Sequence, residues 1–358
     1  MDIVSTTSDM GSRKAAHLEI CLDSEKFDVE GGTTLFEEIR FLHKSVPEIH
    51  AQTIDTSRDF LGYHLNAPFF ISCMTGGSDL GFQVNKDLAV AAQKLKIPVG
   101  LGSGRIVFRK PEVLPHFELK KLAPDVPVLS NLGGVQIREM SHGEIFEMNN
   151  RLEVDAQVIH LNPGQEIFQP DGDRDFRGIK EAIQRFIDKS PLPVIVKETG
   201  FGLAPDEVKF FLDSGAAYVD LAGSGGTNWI KVEGHRLPPN QWKAVDEFTG
   251  WGWPTALLLT LIEPKYLPRV LASGGLRTGM DFAKSISLGA HLAGTALPVV
   301  QAVKSQGADG VVAYFENILT VLKGVMILTG SENLDSFKKI RKVFTSSFID
   351  AQEGYGAE

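Results

Sequence analysis

The sequence predicts an eight-stranded β/α barrel of the α/β class in one large domain, on three observations. Eight short β-branched or aromatic runs that end in Gly or polar residues alternate with stretches of helical periodicity, the signature of repeated βα units and a parallel sheet. A length of 358 residues suits such a barrel with lengthened loops. The strongest glycine turns follow the last two runs, where barrels of this kind place a phosphate site. A doubly wound open sheet is the competitor. It requires a glycine fingerprint after the first strand and an acid closing the second, and here those strands end Met74-Thr75-Gly76-Gly77 and Gly102-Ser103-Gly104-Arg105.

The eight runs are Phe69–Ser72, Ile97–Gly102, Val126–Asn131, Ala156–Asn162, Pro193–Glu198, Ala217–Ala222, Arg269–Gly274 and Ala290–Thr295. Between them, Val84, Leu88, Ala91 and Leu95 make one apolar helical stripe, and Ile179, Ile183, Phe186 and Ile187 make another. Pro205 followed by Asp206 and Glu207 suits a first helical turn, where a missing N–H is harmless and carboxylates meet the positive end of the dipole. Residues 1–65 form an N-terminal extension packing on the barrel, residues 66–351 the barrel, and residues 352–358, polar and glycine-bearing, a disordered tail. Trp229–Trp253 is a long loop between the sixth and seventh strands, of the kind that serves as a lid.

Hydrophobic residues make up 43% of the chain and charged residues 23%, enough apolar material for a full core. A net charge of −9 argues against a nucleic-acid or anionic-membrane surface, so anionic ligands must be met locally. Two distant cysteines, Cys21 and Cys73, exclude a disulfide scaffold and a thiolate zinc site and read as reduced, buried thiols. Met1–Ser12 lacks the basic-then-apolar order of a signal peptide, and the apolar stretch Ile318–Leu328 is short and broken by Lys323, so the expectation is a cytoplasmic protein without a membrane anchor.

In a barrel the C-terminal strand ends converge on one face. Here they supply Thr75, Ser103, Arg105, Asn131, His160, Asn162, Lys197, Thr227 and Ser273. Any one of these could be a cap or a satisfied core group. As a set they call for a ligand, because burying a polar group without a partner costs about 1–3 kcal/mol. Ser273–Gly279 and Ala293-Gly294-Thr295 can turn backbone N–H groups toward a phosphate at a helix start. The run His160-Leu161-Asn162-Pro163-Gly164-Gln165-Glu166 offers a diphosphate donor and an oxygen ligand for Mg²⁺. Lys197, on an otherwise apolar strand, needs an anionic partner, which Glu198 or a ligand could provide.

Together these motifs resemble the type 2 isopentenyl-diphosphate isomerase family, the flavin-dependent class built on a (β/α)8 TIM barrel. The resemblance runs from Arg13 to about Leu328 and rests on Arg13-Lys14…His17, Met74-Thr75-Gly76-Gly77, Gly102-Ser103…Arg105, Asn131-Leu132-Gly133 and His160-Leu161-Asn162-Pro163…Gln165-Glu166. It continues through Val196-Lys197-Glu198…Gly200-Phe201-Gly202, Ala222-Gly223…Gly225-Gly226-Thr227…Trp229 and Ser273-Gly274-Gly275-Leu276-Arg277. Gly104, Gly164 and Ala16 depart from the family pattern.

The resemblance implies interconversion of isopentenyl and dimethylallyl diphosphate with FMN, Mg²⁺ and NADPH, and a homo-oligomer of four or eight chains. It implies that Met74, Thr75, Gly76, Ser103, Asn131, Lys197 and Thr227 hold the flavin ring and ribityl chain, and that Gly274, Gly275, Arg277, Gly294 and Thr295 hold its phosphate. Arg13, Lys14, His17, Arg105, His160, Asn162, Thr199 and Gln165 would face the substrate, with Glu166 on the metal. Gln165, Lys197 and Glu233 are the candidates for catalysis. The rival readings are an FMN oxidoreductase on the same barrel, against which the lack of a His-Gly-Gly-Arg run or a cysteine in a glycine-rich loop counts, and a non-catalytic FMN-binding protein, which has no need of the His160–Glu166 run.

Overall fold

A computed structural model describes residues 10–356, with side chains from Lys14 onward. Its strands, in chain order, are β1 (Ile39–Phe41), β2 (Arg58–Phe60), β3 (Tyr63–Leu65), β4 (Phe69–Ile71), β5 (Val99–Gly100), β6 (Val128–Gly133), β7 (Ala156–His160), β8 (Val194–Lys197), β9 (Tyr218–Asp220), β10 (Val270–Ala272), β11 (Leu292–Thr295) and β12 (Lys342–Phe344). Strands β4 to β11 close a parallel barrel, β11 pairing with β4 through Ala293↔Phe69 and Thr295↔Ile71. Seven of the eight runs predicted from sequence contain one of these strands whole, and the third, Val126–Asn131, overlaps β6, which continues to Gly133.

Alternation along the strands divides the core in two. Phe69, Ile71, Val128, Ile159, Val194, Val196 and Val270 point outward into the large core under the helices. Phe70, Leu129, Val158, Ile195, Leu271 and Leu292 point inward and fill the barrel, where Phe60 and Leu65 of the β2–β3 hairpin plug its N-terminal end. Counting two residues on from the inward set reaches Ser72, Asn131, His160, Lys197 and Ser273, and Asp220 follows inward-packed Tyr218 in the same way. A polar layer therefore caps the apolar one at the C-terminal end of the barrel. The site is a consequence of strand parity.

The helix Asp79–Leu95 buries Val84, Leu88 and Ala91, and the helix Ile179–Lys189 buries Ile183 and Phe186, as their stripes require. Pro205 opens the helix Pro205–Asp213, and Glu207 accepts the Ala204 N–H at 3.2 Å. The N-terminal extension packs on the barrel: β1 pairs antiparallel with β12, and the helix Met10–Leu22 lies over the barrel mouth with Leu18 in the main core.

Three expectations change. Residues 352–355 are not a disordered tail but the end of the helix Ser346–Tyr355, anchored by fully buried Phe348 and by Tyr355 against Trp253, with ring centroids 5.0 Å apart. Residues 357–358 lie outside the described part. The segment between β9 and β10 is not an open loop, because it folds into the short helices Trp229–Gly234, Trp242–Asp246 and Thr255–Leu261, and its first helix is buried throughout from Ile230 to Gly234. The stretch Ile318–Leu328 belongs to Leu297–Thr329, which by length and composition could cross a membrane. That helix is broken at Gln306 and Gly307, and its Val311, Phe315, Ile318 and Leu322 are buried in the barrel core.

Candidate active site

A cavity opens above the polar layer. Its lining includes the predicted residues Lys14, His17, Met74, Thr75, Ser103, Arg105, Asn131, His160, Asn162, Gln165, Glu166, Lys197, Thr199, Thr227, Gly274, Gly275, Arg277 and Thr295. These come from a sequence span of nearly three hundred residues and meet because all eight strands end there. Gly76 and Gly294 are not among the lining residues. Each makes room for a ring instead: a Cβ on Gly76 would lie 2.8 Å from Phe117, and one on Gly294 would strike Phe70. Glu233 stands directly behind the lining, and the Arg13 side chain lies outside the described residues.

Within the polar layer, His160 Nδ1 and Asn131 Oδ1 are 2.9 Å apart. Burial, reinforced by the charges of Lys197, Lys14 and Arg105, pushes the His160 imidazole down to about 3, so it is neutral at ordinary pH. Lys197 donates to the Glu198 carbonyl at 2.5 Å. The Glu198 side chain is not its partner, which corrects one of the sequence readings. That carboxylate turns into its own loop and accepts the backbone N–H groups of Thr199, Gly200, Phe201 and Gly202 at 2.5–3.2 Å.

Beside this layer runs a second network. Asn162 Nδ2 donates to Gln165 Oε1 and to Glu166 Oε1, both at 3.0 Å, while Gln165 Nε2 donates to Glu233 Oε1 at 2.9 Å. Pro163 at the first position of the helix Pro163–Phe168 starts that turn and puts Asn162, Gln165 and Glu166 on one side of it. Glu233 also meets His17 Nε2 at 2.9 Å and accepts from Arg236. Burial would raise the Glu233 carboxyl, but the bond and charge of His17, the Gln165 amide and the Arg236 charge outweigh it and hold the group below the usual carboxylate range. Glu166, by contrast, is raised by burial in spite of the bonds from the Asp173 N–H and Asn162.

The glycine turns build a cradle on the opposite side. Gly274 and Gly275 have φ of +99° and +74°, and a Cβ at Gly274 would strike the Gly223 carbonyl. Thr295 Oγ1 donates to the Leu276 carbonyl at 2.9 Å and ties this turn to β11, where the helix Leu297–Thr329 begins. Backbone N–H groups and a helix start thus gather at one spot, as an anion site requires. Arg277 stands at the rim, its Nε 2.8 Å from Glu30 Oε1 of the extension.

Two buried hydroxyls of the cavity, Ser72 Oγ and Thr199 Oγ1, have no hydrogen-bond partner among the described residues. Such atoms cost free energy unless a ligand meets them. Sequence reasoning missed Ser72, Asp220, Gln136 and the apolar wall of Leu18, Cys21, Trp229, Leu297 and Val300. Strand parity would have found Ser72 and Asp220. The wall depends on how the N-terminal helix docks, which leaves no local signal. Both thiols, Cys21 and Cys73, line the cavity and are pushed up by burial to about 12.

Residues 177–342 match the family model described as FMN-dependent dehydrogenase. Over 341 residues the chain is 45% identical to an isopentenyl-diphosphate delta-isomerase of Borrelia garinii subsp. bavariensis, covering 95% of each chain. It is 40% identical over 341 residues to the protein of that name from a Nostoc species, covering 93% of this chain and 96% of the relative. For the one from Pyrococcus furiosus the identity is 37% over 344 residues, with 93% and 86% covered. Among solved structures, lactate oxidase of Pediococcus acidilactici aligns with a TM-score of 0.65 at 18% identity, covering 97% of this chain and 96% of that one. A flavocytochrome b2 with pyruvate bound aligns with a TM-score of 0.68 at 19% identity, covering 94% and 84%. These two speak to the fold alone. The relatives, alike over nearly their full length, decide the family: the chain belongs to the isopentenyl-diphosphate delta-isomerases, on a flavin-type barrel.

Proposed function

We propose that the protein interconverts isopentenyl diphosphate and dimethylallyl diphosphate, using FMN, Mg²⁺ and NADPH as reductant. The observation that carries the reading is the pairing of two anion-binding features across one cavity: the cradle at Gly274, Gly275 and Thr295, and the cluster of Lys14, Arg105, His160 and Asn162. One suits the phosphate of a flavin, the other a substrate diphosphate. The unpartnered hydroxyls of Ser72 and Thr199, with the Gly274–Gly275 turn, fit a large hydrogen-bonding cofactor between them.

Reduced FMN, when bound, supplies an electron-rich ring face and a protonable nitrogen. Lys197, which lines the cavity, would offer a fixed positive charge that favours the anionic form of a bound flavin. Lys14, Arg105 and the His160–Asn162 run bind the diphosphate, and this remote binding energy positions a hydrocarbon end that has almost no polar handle of its own. Leu18, Trp229, Leu297 and Val300 exclude water from part of the cavity. Gln165 is held at both ends of its amide, by Asn162 and Glu233, so it presents a fixed edge to the substrate. Glu233, kept ionised, accepts hydrogen bonds and orients Gln165 and His17 instead of donating a proton.

Glu166 is the carboxylate proposed for Mg²⁺. Among the described residues no group of three or more His, Cys, Asp or Glu side chains could hold a metal. The ion would take its other ligands from substrate phosphate and water, as Mg²⁺ commonly does. The family pattern extends the proposal to a homo-oligomer of four or eight chains, and the expected cytoplasmic location is part of the proposal.

Anaerobic turnover of labelled isopentenyl diphosphate, leaving out each cofactor in turn, tests this reading. The expected result is dimethylallyl diphosphate formed only with FMN and with NADPH in catalytic amounts. NADPH consumed in step with product, or a reducible bound flavin without any isomer formed, would assign the site to an oxidoreductase.

A further inference from the structure

Asp220 is 2% exposed at the inward-facing end of β9, in the polar layer, where a buried carboxylate is costly unless it is paired. Its Oδ1 accepts the Ser273 hydroxyl at 2.7 Å and the Ala222 N–H at 3.4 Å. In the β8–β9 register Asp220 pairs with Lys197, so both side chains leave neighbouring strands on the same face. Among the described residues of the polar layer itself the charged side chains are Lys197 and Asp220, His160 being neutral; Glu198, which also feels the Lys197 charge, is turned into its own loop and held by four backbone N–H groups. Burial raises the Asp220 carboxyl, while the Lys197 charge and the donors of Ser273 and Ala222 stabilise its ionised form.

We propose that the Asp220–Ser273 pair is a positioning element that offsets the Lys197 charge beneath the flavin ring and thereby sets the reduction potential of the bound cofactor. This rests on the FMN reading of the cavity. A lone Lys197 would favour the reduced, anionic ring strongly. An opposed carboxylate on the next strand lowers that bias, so the flavin stays within reach of a nicotinamide reductant without being trapped in either state. Ser273 fixes the carboxylate by donating to it, and it stands between the end of β10 and the Gly274–Gly275 cradle.

The test is spectroelectrochemical titration of FMN bound to the full chain and to Asp220→Asn, an exchange of nearly equal volume that removes the charge. The expected result is a midpoint potential shifted in the positive direction, with reduced FMN bound roughly tenfold more tightly relative to oxidised FMN, or about 30 mV for a two-electron couple. An unchanged or more negative potential in a variant that binds FMN overturns the proposal. Ser273→Ala, which keeps the carboxylate but removes the donor that screens it, should shift the potential the opposite way by less. If Asp220→Asn does not fold, an unshifted potential in Ser273→Ala overturns the proposal by itself. Failure of the unaltered protein to bind FMN is a different outcome, which sinks the cofactor reading first and this inference with it.

Discussion

The neutral imidazole of His160 has a consequence that can be measured without substrate. In the unfolded chain a histidine takes up its proton near pH 6.5, whereas burial and the charges of Lys197, Lys14 and Arg105 lower the folded value to about 3. The unfolded state therefore binds the proton first. The stabilisation is complete above about pH 6.5 and is lost as pH falls toward 3, with a slope of up to about 1.4 kcal/mol per pH unit for one linked proton. Denaturation of the apo protein between pH 7 and pH 4 should steepen accordingly, and His160→Gln should flatten that dependence. An unaltered slope in the variant would place the titration elsewhere. Gly274 gives a second test. Its φ of +99° and the carbonyl of Gly223 leave no space for a side chain, so Gly274→Ala must shift the turn. Backbone strain of this kind costs about 1–3 kcal/mol, and FMN affinity measured by fluorescence quenching should fall about tenfold or more. Residues at this scale were legible from the sequence where a strand end announced them, as with Asn131, His160 and Lys197. Glu198, one of the two partners the sequence allows for Lys197, turns away from it because sequence adjacency on a strand puts neighbours on opposite faces.

At the scale of elements, the helix Met10–Leu22 closes the site through Lys14, which donates to the Ser103 carbonyl at 3.0 Å, and through His17, whose ring meets Trp229 edge-on at 5.3 Å as well as bonding Glu233. His17→Ala removes both contacts at once. It should raise KM strongly, with a smaller change in kcat, and speed amide exchange in residues 14–22; an unchanged KM would exclude a substrate-facing role. The segment after β9 should behave as two parts. Lys231 reaches Asp28 at 2.5 Å and the Glu30 carbonyl at 2.8 Å, and the helix around it is buried, so exchange there should be slow. Trp242 and Trp251 are 47% and 61% exposed, and exchange around them should be fast. The eight barrel strands were readable because each is a short apolar run closed by glycine or polar residues. The helices inside Trp229–Trp253 were not, since the prolines and glycines around them read as loop and their packing is non-local: Val232 of the first joins Ile20 and Val29 of the extension, and Val245 of the second joins Phe201 and Ile230.

Across the whole molecule, the two ends of the chain meet and brace the barrel together. The extension plugs the N-terminal end of the barrel, where Lys120 donates to Tyr63 and Asp155 at 2.8 Å, and the C-terminal segment returns to the extension through the β1–β12 pair and through Thr345 and Ser347 on Glu38. That the extension packs on the barrel was expected from the sequence, but its partners were not legible, because pairing between residues 39–41 and 342–344 has no local signature, and a tail with Gly354 and Gly356 looks unanchored until Phe348 is seen buried. The bracing leads to the active site. Tyr355 packs on Trp253, whose N–H donates to the Phe201 carbonyl and whose carbonyl accepts from Ser224, both at 2.8 Å, and Phe201 belongs to the loop wrapped around Glu198. Deleting residues 346–358 should therefore act in two ways. Loss of Phe348 alone is comparable to a buried Phe-to-Ala change, about 3–5 kcal/mol, so the denaturation midpoint should fall markedly. Loss of the Tyr355–Trp253 contact should loosen the Thr199–Gly202 loop and lower kcat, while the FMN cradle, built on the turns after β10 and β11, should keep its affinity. Calorimetry, turnover and flavin titration on the one truncated protein separate these effects, and a truncated chain that loses FMN binding and turnover together would mean that the C-terminal helix supports the barrel as a whole and not this loop in particular.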